Sequence, residues 1–219
     1  CLDEIKKNAH KINVLYIIGG EPFVMGLHYK VLDALIECGE AKNITLKYDS
    51  NLTKLQWEGC KIVEYIHKFR KVLVSWSIES YGKYDEYIRF PTKWEDAVKN
   101  YHLLAERPNT KIDVAITLSA LSVLHLDELM TWLKSEKLDS HWNTLDTPEV
   151  CRIDSLHPEI RKRLSEKYAG TELEFLCSYL DVVVDDWESR WYDLLRYLKS
   201  VDFVNGTDYK KTFPELNIQ

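Results

Sequence analysis

Short apolar runs that alternate with stretches of helical periodicity narrow this chain to one class of fold. Ile12 to Ile18 (INVLYII) is nearly continuous in apolar residues and halts at Gly19-Gly20, as expected of a parallel strand buried on both faces. Val24, Leu27, Val31 and Leu35 then recur at three- and four-residue steps until Gly39, a helix stop. The alternation continues with a strand at Ile44 to Tyr48 and a helix carrying Leu55, Ile62, Val63 and Ile66. A strand at Val72 to Ile78 precedes a helix carrying Trp94, Ala97, Val98, Tyr101 and Leu104, and a strand at Lys111 to Leu118 precedes a helix around Leu126 to Leu133. Leu138 to Leu145 is a fifth, weaker strand. Strands separated by amphipathic helices pair in parallel, so the pattern predicts βαβ units in one α/β sheet. The strand ends Gly19, Asn51, Ser77 and Ser119 lie 32, 26 and 42 residues apart, about one βα unit each. Periodicity leaves open whether the sheet closes into a barrel; ligands sit at the carboxyl ends of the strands either way.

After Pro148 the strand signals fade. His157 to Tyr168, Leu173 to Val183 and Trp187 to Val201 read as helices, the last with Trp187, Trp191, Leu194, Leu195 and Leu198 at core spacing. The chain is therefore expected to divide near residue 150, with 1–150 forming the sheet and its helices and 151–219 a helical extension packed on them. With 45% hydrophobic residues the chain can bury a core without disulfides or metals. A net charge of -6 and interspersed acids and bases give no basic face for nucleic acid, and no apolar run is long enough for a membrane span. Five cysteines, Cys1, Cys38, Cys60, Cys151 and Cys177, contain no CxxC or CxxxCxxC; reduced thiols in a cytoplasmic protein are expected. Cys38 and Cys60 read as small buried hydrophobes at a helix end and a helix start. The seven histidines show no zinc-binding spacing, and no GxGxxG, GxxxxGK[ST] or GxSxG occurs.

Gly19-Gly20-Glu21-Pro22, directly after a strand and before a helix, is the sharpest local signal. Two glycines permit a tight turn, and Pro22 holds Glu21 extended, so a carboxylate and free carbonyls are presented where a small cation binds. The alternative is a plain βα turn with a surface glutamate.

The GGEP turn resembles the motif by which radical S-adenosylmethionine (radical SAM) enzymes hold the amino group of S-adenosylmethionine (AdoMet). The stretch IIGGEPFVMGLHYKVLDALI is similar to the twitch-domain-containing radical SAM proteins in particular. LKYDSNLT, VSWSIESYGKYDEYIRFPTKWEDAVKN and IDVAITLSALSVLHLDELMTWL resemble that group's following strand, loop and helix segments in order, and KKTFPEL its C-terminal tail. The likeness runs from Ile12 to Leu216. It implies a partial (β/α) barrel of TIM type followed by a helical region. It further implies a 4Fe-4S cluster with an electron donor, a 5′-deoxyadenosyl radical that abstracts a substrate hydrogen, and a substrate that is in some relatives a peptide.

Carried over by position, the resemblance implies that Gly19, Gly20 and Glu21 of the Gly19–Pro22 turn meet the methionine amino group. Ser77 would hydrogen-bond the cofactor, Glu79 would accept from ribose hydroxyls, and Arg89 would pair with the methionine carboxylate. Asn51 and Ser119 would line the pocket. Glu21 and Arg89 are expected to share one cleft. Each has a structural alternative: a main-chain contact for Ser77, a surface ion pair with Asp85 or Glu86 for Arg89, a turn role for Asn51 and a loop cap for Glu79.

The sequence departs from the group in three places. Asp49 stands where an asparagine is usual, SIES replaces SIDG, and the CxxxCxxC that binds three irons is missing. Cys1 alone cannot replace it, and two isolated cysteines at 151 and 177 make a poor auxiliary cluster. The chain therefore reads as an N-terminally truncated part of a radical SAM enzyme. Two rivals remain: a degenerate barrel that lost its cluster and serves as a binding module, and a barrel that binds a divalent cation through Asp49, Glu79 and Asp85.

Overall fold

A computed structural model describes residues 2–218; Cys1 lies outside the described residues. The elements are α1 (Leu2–Asn8), β1 (Val14–Ile17), α2 (Gly26–Glu37), β2 (Thr45–Ser50), β3 (Gln56–Trp57), β4 (Cys60–Lys61), β5 (Lys71–Ile78), α3 (Lys83–Ile88) and α4 (Trp94–Ala105). They continue with β6 (Thr110–Leu118), α5 (Leu126–Glu136), β7 (Ser140–Thr144), α6 (Pro158–Tyr168), α7 (Cys177–Leu180), α8 (Trp187–Asn205) and α9 (Tyr209–Thr212). A five-stranded, mostly parallel sheet has the order β1-β2-β5-β6-β7. That order follows the chain without the reversal that defines a doubly wound sheet. The expected α/β fold with parallel strands and a helical C-terminal region is the one observed. No helix among the described residues is long and apolar enough to cross a membrane.

The chain forms two compact units. The first comprises Cys1–Ser77, Glu95–Ala115 and Leu138–His141. In it β1 pairs in parallel with β2 (Val14 opposite Thr45) and β2 with β5 (Thr45 opposite Lys71). Leu46, Tyr48, Val72, Val74 and Trp76 are buried, and the Trp76 ring stacks on Tyr101 of α4 at 5.6 Å. The second unit comprises Ile78–Trp94, Ile116–Lys137 and Trp142–Gln219. Its core includes Leu126, Leu129 and Leu133 of α5, Ile160 and Leu164 of α6, and Trp191, Leu194 and Leu198 of α8. Gly206, left-handed at φ 67°, ends α8.

Several sequence expectations are corrected. The first strand is not buried on both faces: Val14 and Ile18 are 56% and 61% exposed, because no layer covers the side of the strand that carries Val14, Tyr16 and Ile18. In α2 the buried residues are His28, Tyr29, Leu32, Ala34 and Leu35, while Leu27 is exposed. Pro22–Val24 is a separate 3-10 turn, so the helix begins at Gly26 and its inward face is rotated from the one expected. The helix expected through Leu55 and Ile66 is absent. Glu58 and Gly59 have φ of 43° and 88°, the backbone of a two-residue hairpin turn, and they join β3 to β4 in antiparallel register. Ile62 and Ile66 are still buried, from successive 3-10 turns. The helix expected over Leu173 to Val183 is reduced to a 3-10 turn and the four-residue α7, which gives out before the β-branched run Val182 to Val184. Cys60 lies in β4 rather than at a helix start, and both Cys38 and Cys60 are half-buried instead of buried.

Candidate functional site

In the first unit the turn after β1 has the backbone its sequence dictates. Gly19 and Gly20 have φ of 88° and 56°, and Glu21 before Pro22 is extended at φ -119°, ψ 108°. A Cβ on Gly19 would meet nothing within 4 Å, so glycine is required there for conformation and not for room. The Glu21 carboxylate is oriented by the end of β2. Its Oε1 accepts from Ser50 Oγ at 2.7 Å and its Oε2 from the Asn51 amide at 2.9 Å. The Ser50 hydroxyl accepts in turn from the Leu52 amide at 3.0 Å. The Asn51 side chain is used within its own turn, its Oδ1 accepting from the Thr53 amide at 2.9 Å and the Thr53 hydroxyl at 2.7 Å. Ser77 is half-buried, one residue before the end of β5.

In the second unit, Glu79 and Arg89 form an ion pair, with side chains 14% and 24% exposed. Arg89 therefore does not make the surface pair with Asp85 or Glu86 that its sequence neighbours suggested, and the charge that meets it is another of the expected site residues. Burial pushes the Glu79 carboxyl up, and the guanidinium opposes that shift. Glu79 and Ser119 both line a cavity of about 170 Å³, with Tyr87, Leu145, Cys151 and Tyr197. Ser119 stands at the exit of β6, its amide donating to Ser122 Oγ at 2.7 Å. Burial raises the Cys151 thiol to about 11, so it is an unreactive wall at neutral pH. Among the polar lining groups only Glu79 is a carboxylate, and the rest of the wall is largely apolar, the composition of a small-molecule site.

Asp49, Glu79 and Asp85 do not converge on a cation. Asp49 accepts from the Tyr16 hydroxyl at 2.5 Å, Glu79 pairs with Arg89, and Asp85 accepts from two main-chain amides. No group of three or more His, Cys, Asp or Glu that could hold a metal exists among the described residues. The divalent-cation rival is set aside on that geometry. The cysteines among the described residues likewise make no ligand set for an iron–sulfur cluster.

Three contributors escaped the sequence reading. Ser50 was visible only as part of LKYDSNLT beside Asn51, and Cys151 was weighed only as an isolated cysteine for an auxiliary cluster. Asp85 stood in the sequence as a surface partner for Arg89 or a divalent-cation ligand, and not as a buried acid that holds the strand exit, yet it is 1% exposed.

No protein-family profile and no curated protein matches the sequence. Solved structures do. Native anSMEcpe with bound AdoMet superimposes with a TM-score of 0.53 at 13% identity, covering 94% of this chain and 51% of that one. Native anSMEcpe with AdoMet and Kp18Cys peptide gives 0.53 at 14% identity, over 94% and 52%. The complex with Cp18Cys peptide gives 0.51 at 13%, over 94% and 51%. anSME is an anaerobic sulfatase-maturating radical SAM enzyme. This chain shares the fold of those structures. It spans about half the length of those structures, and at such identity the likeness is one of fold.

Proposed function

We propose that this chain is part of a radical SAM enzyme of the twitch-containing kind and binds AdoMet. The carrying observation is the turn after β1, where two left-handed glycines and an extended Glu21 present an oriented carboxylate at the carboxyl end of a parallel strand. A fold shared with AdoMet-bound structures supports the reading. Gly19, Gly20, Glu21 and Pro22 serve the methionine amino group in this proposal, and Ser77, Glu79, Arg89 and Ser119 the remainder of the cofactor, with Asn51 shaping the first turn. A barrel portion over 1–150, a helical extension over 151–219 and a cytoplasmic location belong to the same proposal. A peptide is the proposed substrate class, by analogy with the peptide-bound neighbours. The proposed chemistry is a 5′-deoxyadenosyl radical generated at a 4Fe-4S cluster.

The second reading is a degenerate barrel that lacks the cluster and acts as a binding module, taken here to hold AdoMet; that Cys38, Cys60, Cys151 and Cys177 belong to no metal-binding group among the described residues agrees with both readings. Calorimetric titration of the 219-residue chain with AdoMet tests the common ground. Saturable binding, weakened at least tenfold by Glu21→Ala, is the expected result; no binding to the wild-type chain refutes both readings. Anaerobic reconstitution with iron and sulfide of a longer form carrying any upstream CxxxCxxC then separates them. A reduced cluster that releases 5′-deoxyadenosine supports the enzyme, and AdoMet binding without cluster uptake supports the binding module.

A further inference from the structure

The cavity carboxylate Glu79 is gripped at two points by the segment that follows it. β5 ends at Ile78, so the amides of Glu79 and Ser80 have left the sheet ladder and need acceptors. Asp85 supplies one for both: its Oδ1 accepts from the Glu79 amide at 2.8 Å and the Ser80 amide at 3.2 Å. Between them Gly82, at φ 57°, turns the chain back into α3, which sets Asp85 beneath the strand exit. At the other end of α3 the Arg89 amide donates to the Asp85 carbonyl at 2.8 Å, and the Arg89 guanidinium pairs with the Glu79 carboxylate. The main chain of Glu79 is thus fixed by Asp85 and its side chain by Arg89, so both ends of the residue are tied to α3.

A carboxylate 1% exposed is costly to bury, and burial raises Asp85 to about 7 against the two amides that stabilise its charge. An apolar residue would avoid that cost but leave two buried amides without partners. We propose that Asp85 is a positioning residue for Glu79, holding the carboxylate against the cavity wall so that the pocket meets its ligand with one fixed acceptor. The proposal rests on the AdoMet reading for the identity of that ligand, and on the hydrogen-bond geometry alone for the positioning.

Both accepted bonds fall on one oxygen, so the variants separate cleanly. Asp85→Asn keeps an Oδ1 acceptor of the same shape; Asp85→Ala keeps none. Leu129→Ala, in the buried face of α5 and outside the cavity lining, serves as a control that loses stability without touching the loop. Two readouts are taken on the 219-residue chain: amide hydrogen exchange over Glu79 and Ser80, and AdoMet affinity by calorimetry. Exchange over those two amides should speed up at least tenfold in Asp85→Ala, relative to Leu129→Ala, and stay slow in Asp85→Asn. AdoMet affinity should fall at least tenfold in Asp85→Ala and by less than threefold in the other two. Unchanged exchange in Asp85→Ala, or equal loss of AdoMet affinity in Leu129→Ala, overturns the proposal. If the wild-type chain binds no AdoMet, the cofactor reading fails, and the exchange result still decides the positioning. Asp85→Ser, whose hydroxyl is too short to reach both amides, replaces Asp85→Ala if that variant does not fold.

Discussion

The turns after β1 and after β5 do the same job by different means. The first is short and local: two glycines and a proline set the backbone, and the half-buried Glu21 is steadied by Ser50 and the Asn51 amide. The second runs from Glu79 to Arg89, and its carboxylate depends on a buried acid, a guanidinium and a short helix between them. A turn specified by backbone chemistry tolerates loss of a side chain, because its conformation is built into glycine and proline. A turn specified by buried charges does not, because removing one leaves another unpaired.

The widest gap between them should appear on removing Arg89. Glu79 would then be buried without its counter-charge, a loss of about 3 kcal/mol for breaking such a pair. Replacing both, Glu79→Leu with Arg89→Met, should recover most of that loss, since no charge is stranded. Urea unfolding of the single and double variants measures it. A double variant no more stable than Arg89→Ala would mean that the ion pair itself, rather than the stranded charge, sets the cost.

The comparison extends to pH, because a buried ionisable group in each unit responds to it in the opposite sense. In the first unit His28 bonds the Tyr48 hydroxyl at 2.9 Å, and burial lowers it to about 4 from an ordinary 6.5. The unfolded chain then takes up the proton first, so His28 costs stability as pH falls from about 6.5 to 4. In the second, Asp85 is raised to about 7 from 3.8. The folded chain holds that proton longer, so the relative stability from Asp85 is full below about pH 4 and is lost as pH rises to about 7. At about 1.4 kcal/mol for each pH unit separating the folded from the unfolded titration, either slope amounts to a few kcal/mol at most, and across pH 4–6.5 they oppose one another. Stability of His28→Gln should therefore fall with rising pH over that window, and stability of Asp85→Asn should rise. Parallel pH profiles for the two variants would end the contrast.

What the sequence made legible follows the same division. Strands, most helices and the GGEP turn were readable because period, glycine and proline act locally: β5 and β6 start within one residue of the runs at Val72 and Lys111, and both end where those runs end. The hairpin at Glu58-Gly59 was missed because Leu55, Ile62 and Ile66 mimic a helical face, and the turn outweighed that period. Asp85 was unreadable as a buried acid, since charged neighbours on a short helix look like solvated surface until the Glu79 and Ser80 amides are seen facing it. β1 misled in the opposite sense: an apolar run fixes a strand but not whether both of its faces are covered.

A smaller effect is expected at Glu21. Substitution with alanine removes two accepted hydrogen bonds at a half-buried carboxylate, about 1–2 kcal/mol by unfolding. Gly19 and Gly20 keep the turn, so the loss should stay below that of Arg89→Ala. A larger loss at Glu21 would show that the first turn also depends on its side chains.

The smallest effect, and the most discriminating for the first turn, is at Asn51. Its Oδ1 accepts from the amide and hydroxyl of Thr53, which makes the side chain a brace for its own turn. Asn51→Ala should then cost about 1 kcal/mol, while Asn51→Asp, which keeps the acceptor, should unfold with the wild type. The Asn51 group that orients Glu21 is the main-chain amide, present in every variant. AdoMet affinity should accordingly change less than twofold in both, although Asn51 was expected to line the pocket. Calorimetric titration beside the unfolding curves separates the roles. If Asn51→Asp keeps full stability but loses AdoMet affinity tenfold, the side-chain amide contacts the cofactor and the turn after β1 relies on a ligand-facing side chain as much as the turn after β5 does.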